Sequence, residues 1–419
     1  MVNLYIDPGT GSMLFTILIS AVSAVVYVVR ILWIKAKTMA GVKTQAERNA
    51  KKIPIVIFAD HKRYWTTFKP ICEELEKRGQ KAVYMTASPD DPALECHFEN
   101  IKTEFIGEGN KAYAKLNMLI AGVVVATTPN LDVFQWKRSK TVDYYVHVFH
   151  ANGDTALCRL YGLDYYDALM LPGEFAEHEV RELERQRNLP PKELKMMGLP
   201  YLDSMYQRAQ GYEKKETGEK TVLLSPTWGP NSILVKFGSS FIDRLIETGY
   251  NIIIRPHPQS YTADKDTIET LMNKYPETDK LHWNRDNDNF DVLASADIMI
   301  SDYSGVMYDF IFIFNKPVIY TTEGYTKDPY DCWCLEGETW MVSTIRKLGK
   351  ELTKENAENI KELIDTSIAE GVDPVEVEQA RIETWCNVGN SASLIADYII
   401  DKLAGIEAEH MEKEKEAKK

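Results

Sequence analysis

His150 and His257 are the two residues of this chain best placed to move a proton or grip an anion. His150 ends the apolar run Val142 to Phe149 and precedes the polar turn Ala151-Asn152-Gly153-Asp154. An imidazole at the carboxyl end of a strand can face a cleft and act as a general base near neutral pH. A histidine that merely closes the strand with a hydrogen bond would read the same. His147, three residues earlier, reads as structural. His257 lies in Ile252-Ile253-Ile254-Arg255-Pro256-His257-Pro258. The two prolines lack backbone donors and stiffen the turn, which holds the imidazole in a narrow range of directions beside Arg255. A rigid His with an Arg suits donation to phosphate oxygens.

Two further segments have the letters of an anion site. Ala296 to Ile300 reads as a strand that runs into Ser301-Asp302-Tyr303-Ser304-Gly305 and then a helix. Asp302 or Ser304 could cap that helix. The amides of Ser304, Gly305 and Val306 would then hold a diphosphate, helped by the helix dipole; an ordinary capped helix shares this pattern. Leu223-Leu224-Ser225-Pro226-Thr227-Trp228-Gly229 brings Thr227 and Trp228 to another strand end, where they could touch donor phosphate or base. There is no GxxxxGK[ST] loop, HExxH, paired CxxC or GxSxG elbow. P-loop kinases, zincins, zinc ribbons and ordinary serine hydrolases are thereby set aside. No metal and no cofactor is expected, since no carboxylate cluster has obvious magnesium geometry, although Asp302 could help hold such an ion.

Strand ends need strands to carry them. Ile53 to Ala59 is a short β-branched run of the kind buried on both faces of a parallel sheet. Lys81–Met85, Thr103–Ile106, Ala121–Thr128, Val142–Phe149 and Tyr166–Leu171 follow, with a helix over Phe68–Arg78 closed by Gly79. The chain turns polar between Tyr206 and Lys220, which marks a domain boundary. The pattern then restarts with strands over Thr221–Ser225, Asn251–Arg255, Leu281–Trp283, Asp297–Ser301 and Pro317–Tyr320, and helices over Lys236–Glu247 and Thr267–Tyr275. Strands alternating with helices imply doubly wound parallel sheets. The expected division is an N-terminal Rossmann-like domain over 53–210, a second one with C-terminal helices over 211–406, and a solvated, frayed tail over 407–419.

Residues 1–52 read as an anchor and a basic segment. Met13 to Val29 is apolar apart from a few hydroxyls, and Ile31 to Ile34 resume after Arg30. Such a run is about the 20 residues that cross a bilayer core; a buried or interfacial helix is the other reading. No Lys or Arg precedes it, while Arg30, Lys35, Lys37, Lys43, Arg48, Lys51 and Lys52 follow. That asymmetry predicts a single-pass protein in the cell membrane with its catalytic domains in the cytoplasm. The 419 residues carry a net charge of -13. An acidic chain argues against nucleic acid as a partner, because binding its phosphates needs a basic surface. Of the six cysteines only Cys332 and Cys334 are neighbours, without zinc-ligand spacing, so all read as free thiols.

Taken together, these residues resemble the CDP-glycerol glycerophosphotransferase family of teichoic-acid synthesis. The matches are His150, Pro226-Thr227-Trp228, His257-Pro258, Ala296 through Phe310, and Gly198-Leu199-Pro200-Tyr201-Leu202-Asp203. Lys316 to Tyr320 and Gly389 to Ser393 also sit where related segments are expected. The resemblance implies a glycosyltransferase type B arrangement with the donor on the second domain. It implies CDP-glycerol as donor and a lipid-linked polyol-phosphate or glycan acceptor at the membrane. The acceptor hydroxyl would attack the β-phosphorus and CMP would leave. His150 would take the proton, while His257, Arg255 and the Ser304 and Gly305 amides would stabilise phosphate charge. Tyr303 or Thr227 would add hydrogen bonds. Three departures stand out. The contiguous His-Gly pair of the family is here His150-Ala-Asn-Gly153, the second Ser of SDYSS is Gly305, and the Arg of the G-x-P-R segment is Tyr201. A UDP-sugar glycosyltransferase on the same fold and a catalytically decayed, membrane-anchored binding protein are the competing readings.

Overall fold

The computed structural model describes residues 8–40, 52–213, 218–328 and 330–417. The first sheet holds β1 (Ile53–Ala59), β2 (Ala82–Thr86), β3 (Ile101–Phe105), β4 (Ile120–Ala126), β5 (Thr141–Val148), β6 (Ala168–Leu171) and β7 (Glu193–Met196). Its order is β3-β2-β1-β4-β5-β6-β7. The second holds β8 (Thr221–Leu224), β9 (Asn251–Ile254), β10 (Leu281–Trp283), β11 (Ile298–Ser301), β12 (Val318–Tyr320) and β13 (Lys350–Glu351). Its order is β10-β9-β8-β11-β12-β13. The strand pairs in both are parallel.

Parallel strands covered on both faces need apolar residues at every position. Ile55 and Ile57 turn to one side with Val123, Val125, Val146 and Val148. Val56 and Phe58 turn to the other with Val124 and Ala126, in a core that continues into the second domain through Leu223, Met299 and Phe310. The second sheet repeats this with Val222, Leu224, Ile252, Ile254, Ile298, Ile300 and Ile319. β7 and β13 escape a reading by apolar runs, because β7 is partly exposed at a sheet edge and β13 has two residues. In each sheet the strand order reverses between the first and fourth strands, β1 with β4 and β8 with β11. A crevice opens beyond the carboxyl ends at such a point.

The C-terminal helices return to the first domain. Helix Pro374–Thr384 packs on helix Glu174–Arg187, and helix Ser391–Ala417 on helix Trp65–Lys77 and on β4. Side chains are excluded where they cross. A Cβ on Gly173 would stand 2.1 Å from the Glu383 carbonyl, and one on Gly122 would stand 2.6 Å from Leu403 Cδ1. Asp203 fastens the return: one carboxylate oxygen accepts the Trp385 indole N–H at 2.8 Å, the other the Ser391 amide at 2.9 Å. Residues 374–403 thus reach the first domain, while helix Pro374–Thr384 also packs on helices Val306–Phe314 and Trp340–Leu348 of the second. The expected frayed tail instead continues the last helix to Ala417.

The N-terminal helix spans Pro8–Ala40, and Ile17, Leu18, Val25, Val26 and Trp33 on it are exposed. Among the described residues no helix is long and apolar enough to cross a membrane, so the expected transmembrane span is not supported. The described side chains of this helix run from Ile17 to Trp33. Met13 to Thr16 and Ile34, also in the expected run, lie outside the described side chains, and residues 41–51 of the basic segment lie outside the described residues.

Replacing Asp203 by Ala leaves a buried indole N–H and a buried amide without acceptors. The expected loss is about 2–4 kcal/mol, read as a lower denaturant midpoint; an unchanged midpoint would contradict the anchoring assigned to Asp203.

Candidate active site

His150 follows β5 at its carboxyl end. Its Nδ1 lies 2.5 Å from the hydroxyl of Thr127, the residue just after β4. The Tyr64 ring packs on it at 4.5 Å between centroids. Tyr64 comes from the short turn Lys62–Tyr64 after β1, so adjacent strands β1, β4 and β5 build this half of the site. Burial, then the charge of Arg63, then the His257 imidazole push His150 down to about 3. His147 is turned inward: its Nε2 lies 3.2 Å from the Thr127 carbonyl, and burial pushes it down to about 3.

His257 enters from the second domain, after β9. Its Nδ1 accepts the Gln259 amide at 3.1 Å. The neutral ring therefore carries its proton on Nε2, which makes that atom a donor. Burial, Arg63 and Arg255 push it down to about 4. The charge of Arg63 reaches both imidazoles, which places His150 and His257 in one electrostatic environment across the two domains. Arg255 itself is buried. Its guanidinium bonds the Asn284 side chain and donates to the Asp286 carbonyl at 2.9 Å, so it braces the His257 turn and supplies nearby positive charge.

Asp302 is fully buried and faces no cleft. It accepts the Thr227 amide at 2.8 Å and the Ile233 amide at 3.1 Å, and burial pushes its carboxyl up to about 7. Its place is to pin the Thr227 loop to β11 at the second crevice. Thr227 remains partly exposed. Tyr303 packs edge-on against Tyr325 at 5.3 Å. Arg159 lies over Trp228 at 5.3 Å and over Tyr330 at 5.1 Å. Ser304 and Gly305 precede helix Val306–Phe314 and are partly exposed. Among the described residues no group of three or more His, Cys, Asp or Glu could hold a metal ion.

The loop after β5 enters the second domain. The Asn152 amide donates to the Tyr201 hydroxyl at 2.9 Å. Tyr201 and the Asn152 side chain both donate to Asp309 Oδ1, at 2.8 and 2.7 Å. A Cβ on Gly305 would stand 2.1 Å from the Asn152 carbonyl, and one on Gly153 would stand 2.5 Å from Met341 Sδ. Asp154 accepts the Met341 amide at 3.2 Å. Burial pushes Asp309 up to about 6, with its two hydrogen bonds opposing.

The family model described as CDP-glycerol:poly(glycerophosphate) glycerophosphotransferase matches residues 41–331. The chain belongs to this family. No curated protein sequence matches it. Among solved structures it is similar to the wall teichoic acid polymerase TagF with CDPG, at 16% identity and TM-score 0.53, over 84% of this chain and 89% of that one. It is also similar to a UDP-N-acetylglucosamine 2-epimerase from Rickettsia bellii, at 15% identity and TM-score 0.55, over 85% and 98%. A UDP-GlcNAc 2-epimerase from Methanocaldococcus jannaschii, solved with UDP-GlcNAc and UDP, gives 14% identity and TM-score 0.54, over 83% and 99%. At these identities the structures share the two-domain glycosyltransferase type B fold, and the family match carries the transferase assignment.

Against the family pattern, the three departures meet in space. The lengthened turn supplies Asn152, its carbonyl occupies the room that a side chain at position 305 would need, and Tyr201 bonds both Asn152 and Asp309. Sequence reasoning brought out His150, His257 and the Ser304 turn. It missed Asp60, Arg63, Tyr64, Thr127 and Thr128, which carry no motif. The one available signal was position, since they follow β1 and β4 at the reversal point of the first sheet.

Gly305→Ser should force the loop after β5 away from the second domain, at a cost of about 1–3 kcal/mol. Deleting Ala151 and Asn152 in the same chain should restore most of that loss in thermal unfolding. Simple additivity of the two changes would count against the coupling.

Proposed function

We propose that this chain transfers glycerol phosphate from CDP-glycerol to a hydroxyl of a membrane-associated, teichoic-acid-like acceptor and releases CMP. The observation that carries the reading is the family match over residues 41–331, which takes in His150 at the end of β5, bonded to Thr127, and His257 in the turn after β9. The acceptor oxygen attacks the β-phosphorus, the bond from that phosphorus to the bridging oxygen breaks, and the electron pair leaves with CMP. His150 takes the hydroxyl proton on Nε2, which requires that Nδ1 donate to Thr127. His257 donates from Nε2 to a phosphate oxygen. The Ser304, Gly305 and Val306 amides and the helix behind them suit the donor diphosphate. Both imidazoles are neutral in the empty protein. An anionic donor raises their pKa towards neutrality, because opposite charge favours the protonated form, and a base poised near neutral pH works best.

The exposed apolar residues from Ile17 to Trp33 support a lipid surface as partner of the N-terminal helix, and a lipid-linked acceptor makes such attachment useful. The likeness to UDP-GlcNAc 2-epimerases motivates the UDP-sugar reading, which the same assay separates.

The full chain incubated with CDP-glycerol and a membrane acceptor should release CMP. His150→Ala should lower turnover by roughly 10²–10⁴-fold while calorimetry finds CDP-glycerol binding nearly intact. Nucleotide release from a UDP-sugar with no CMP would overturn the reaction, and binding without any turnover would favour the decayed protein.

On flotation with anionic phospholipid vesicles, the full chain should rise with the lipid and a chain lacking residues 1–40 should stay below. Equal behaviour of the two would remove the N-terminal helix from membrane binding.

A further inference from the structure

Three polar side chains at the reversal point of the first sheet are unsatisfied. Asp60 Oδ1 and Arg63 Nε, from the segment after β1, and Thr128 Oγ1, after β4, are buried without a well-formed hydrogen bond, although the Thr128 hydroxyl and the Arg63 charge lie near enough to Asp60 to oppose the rise that burial gives its carboxyl. Such atoms are rare in native proteins, and each costs about 1–3 kcal/mol when left unpaired. Three of them at one crevice point to a ligand that completes them. The crevice is where a doubly wound sheet takes its ligand. Around it stand Tyr64, whose ring lies under the Arg63 guanidinium at 5.1 Å and against His150 at 4.5 Å, and Thr127, which bonds His150. The unfilled groups therefore adjoin the residue assigned as base.

We propose that Asp60, Arg63 and Thr128 form the acceptor subsite, with Arg63 binding the phosphate of the acceptor's terminal polyol-phosphate unit and Asp60 and Thr128 its hydroxyls. The assignment rests on the transfer reading above. Chemistry separates it from the donor site. A carboxylate three residues from the arginine repels a diphosphate, whereas a carboxylate and a hydroxyl beside a guanidinium match a unit that carries hydroxyls and one phosphodiester. The donor has its own anion site across the cleft, at the head of helix Val306–Phe314. The unit bound by Arg63 would present its free hydroxyl to His150, and the proton leaves to His150 as the new phosphodiester forms.

The test uses the full chain and a short synthetic oligomer of glycerol phosphate. Arg63→Ala and Thr128→Val should each raise the acceptor KM, with the Arg63 change giving about tenfold or more. CDP-glycerol affinity by calorimetry should stay within about twofold, since the donor binds across the cleft. Arg63→Lys, which keeps the charge without the fork, should recover part of the acceptor affinity and also shows that the position tolerates change. Loss of CDP-glycerol affinity with an unchanged acceptor KM would overturn the proposal by assigning these residues to the donor. If the wild-type chain releases no CMP, direct calorimetric binding of the oligomer still decides. Binding that Arg63→Ala abolishes upholds the subsite although the transfer reading has failed; no binding by the wild type overturns the subsite as well.

Discussion

The approach of the Asn152 carbonyl to Gly305 sets the distance between the two domains at the site. It is a contact that only a glycine permits, since a Cβ would stand 2.1 Å from the oxygen. The loop that makes it begins at His150, and the turn that receives it is the head of the helix proposed to hold phosphate. The proposed base and the proposed anion site are therefore positioned by one junction. Asp309 closes the junction from below by accepting from both Tyr201 and Asn152, and Asp154 extends it to the Met341 amide. Buried hydrogen bonds of this sort cost most when one partner is lost, which makes the junction cooperative.

Electrostatics follow from that placement. Both imidazoles are densely surrounded and share the positive field of Arg63, so neither takes up a second proton in the empty site. Asp302 and Asp309, the acidic residues nearest the anion turn, are buried, and burial raises both. The cleft thus presents neutral donors and fixed positive charge where an anion would sit. A chain that is acidic as a whole can still offer such a local field.

Much of the fold was legible because buried parallel strands announce themselves as Val and Ile runs: Ile53–Ala59 was bounded as it stands, as was the short Leu281–Trp283 without such a run, and others lay within a few residues. The edge strands β7 and β13 were not, having no buried run. The destination of the last helices was invisible to periodicity, because only Gly122, Gly173 and Asp203 encode it, one residue at a time. His150, His257 and the Ser304 turn were legible by standing at strand ends. For Asp302 the letters Ser-Asp-Tyr-Ser suggest a side chain reaching a ligand, while in the structure the carboxylate accepts from the Thr227 and Ile233 amides. Arg63 was silent, since a lone arginine in a surface-like segment has no pattern.

The coupled departures bear on whether this is a working site. A site drifting without selection loses partners independently and leaves buried groups stranded. Here a longer turn, a smaller residue at 305 and a tyrosine at 201 fit one another within hydrogen-bond distance. Each would be costly alone: the inserted carbonyl would collide with a serine at 305, and without Asn152 and Tyr201 the carboxylate of Asp309 would be buried unpaired. Changes that make sense only together describe a rebuilt junction, although Asn152 Oδ1 within it has no hydrogen-bond partner.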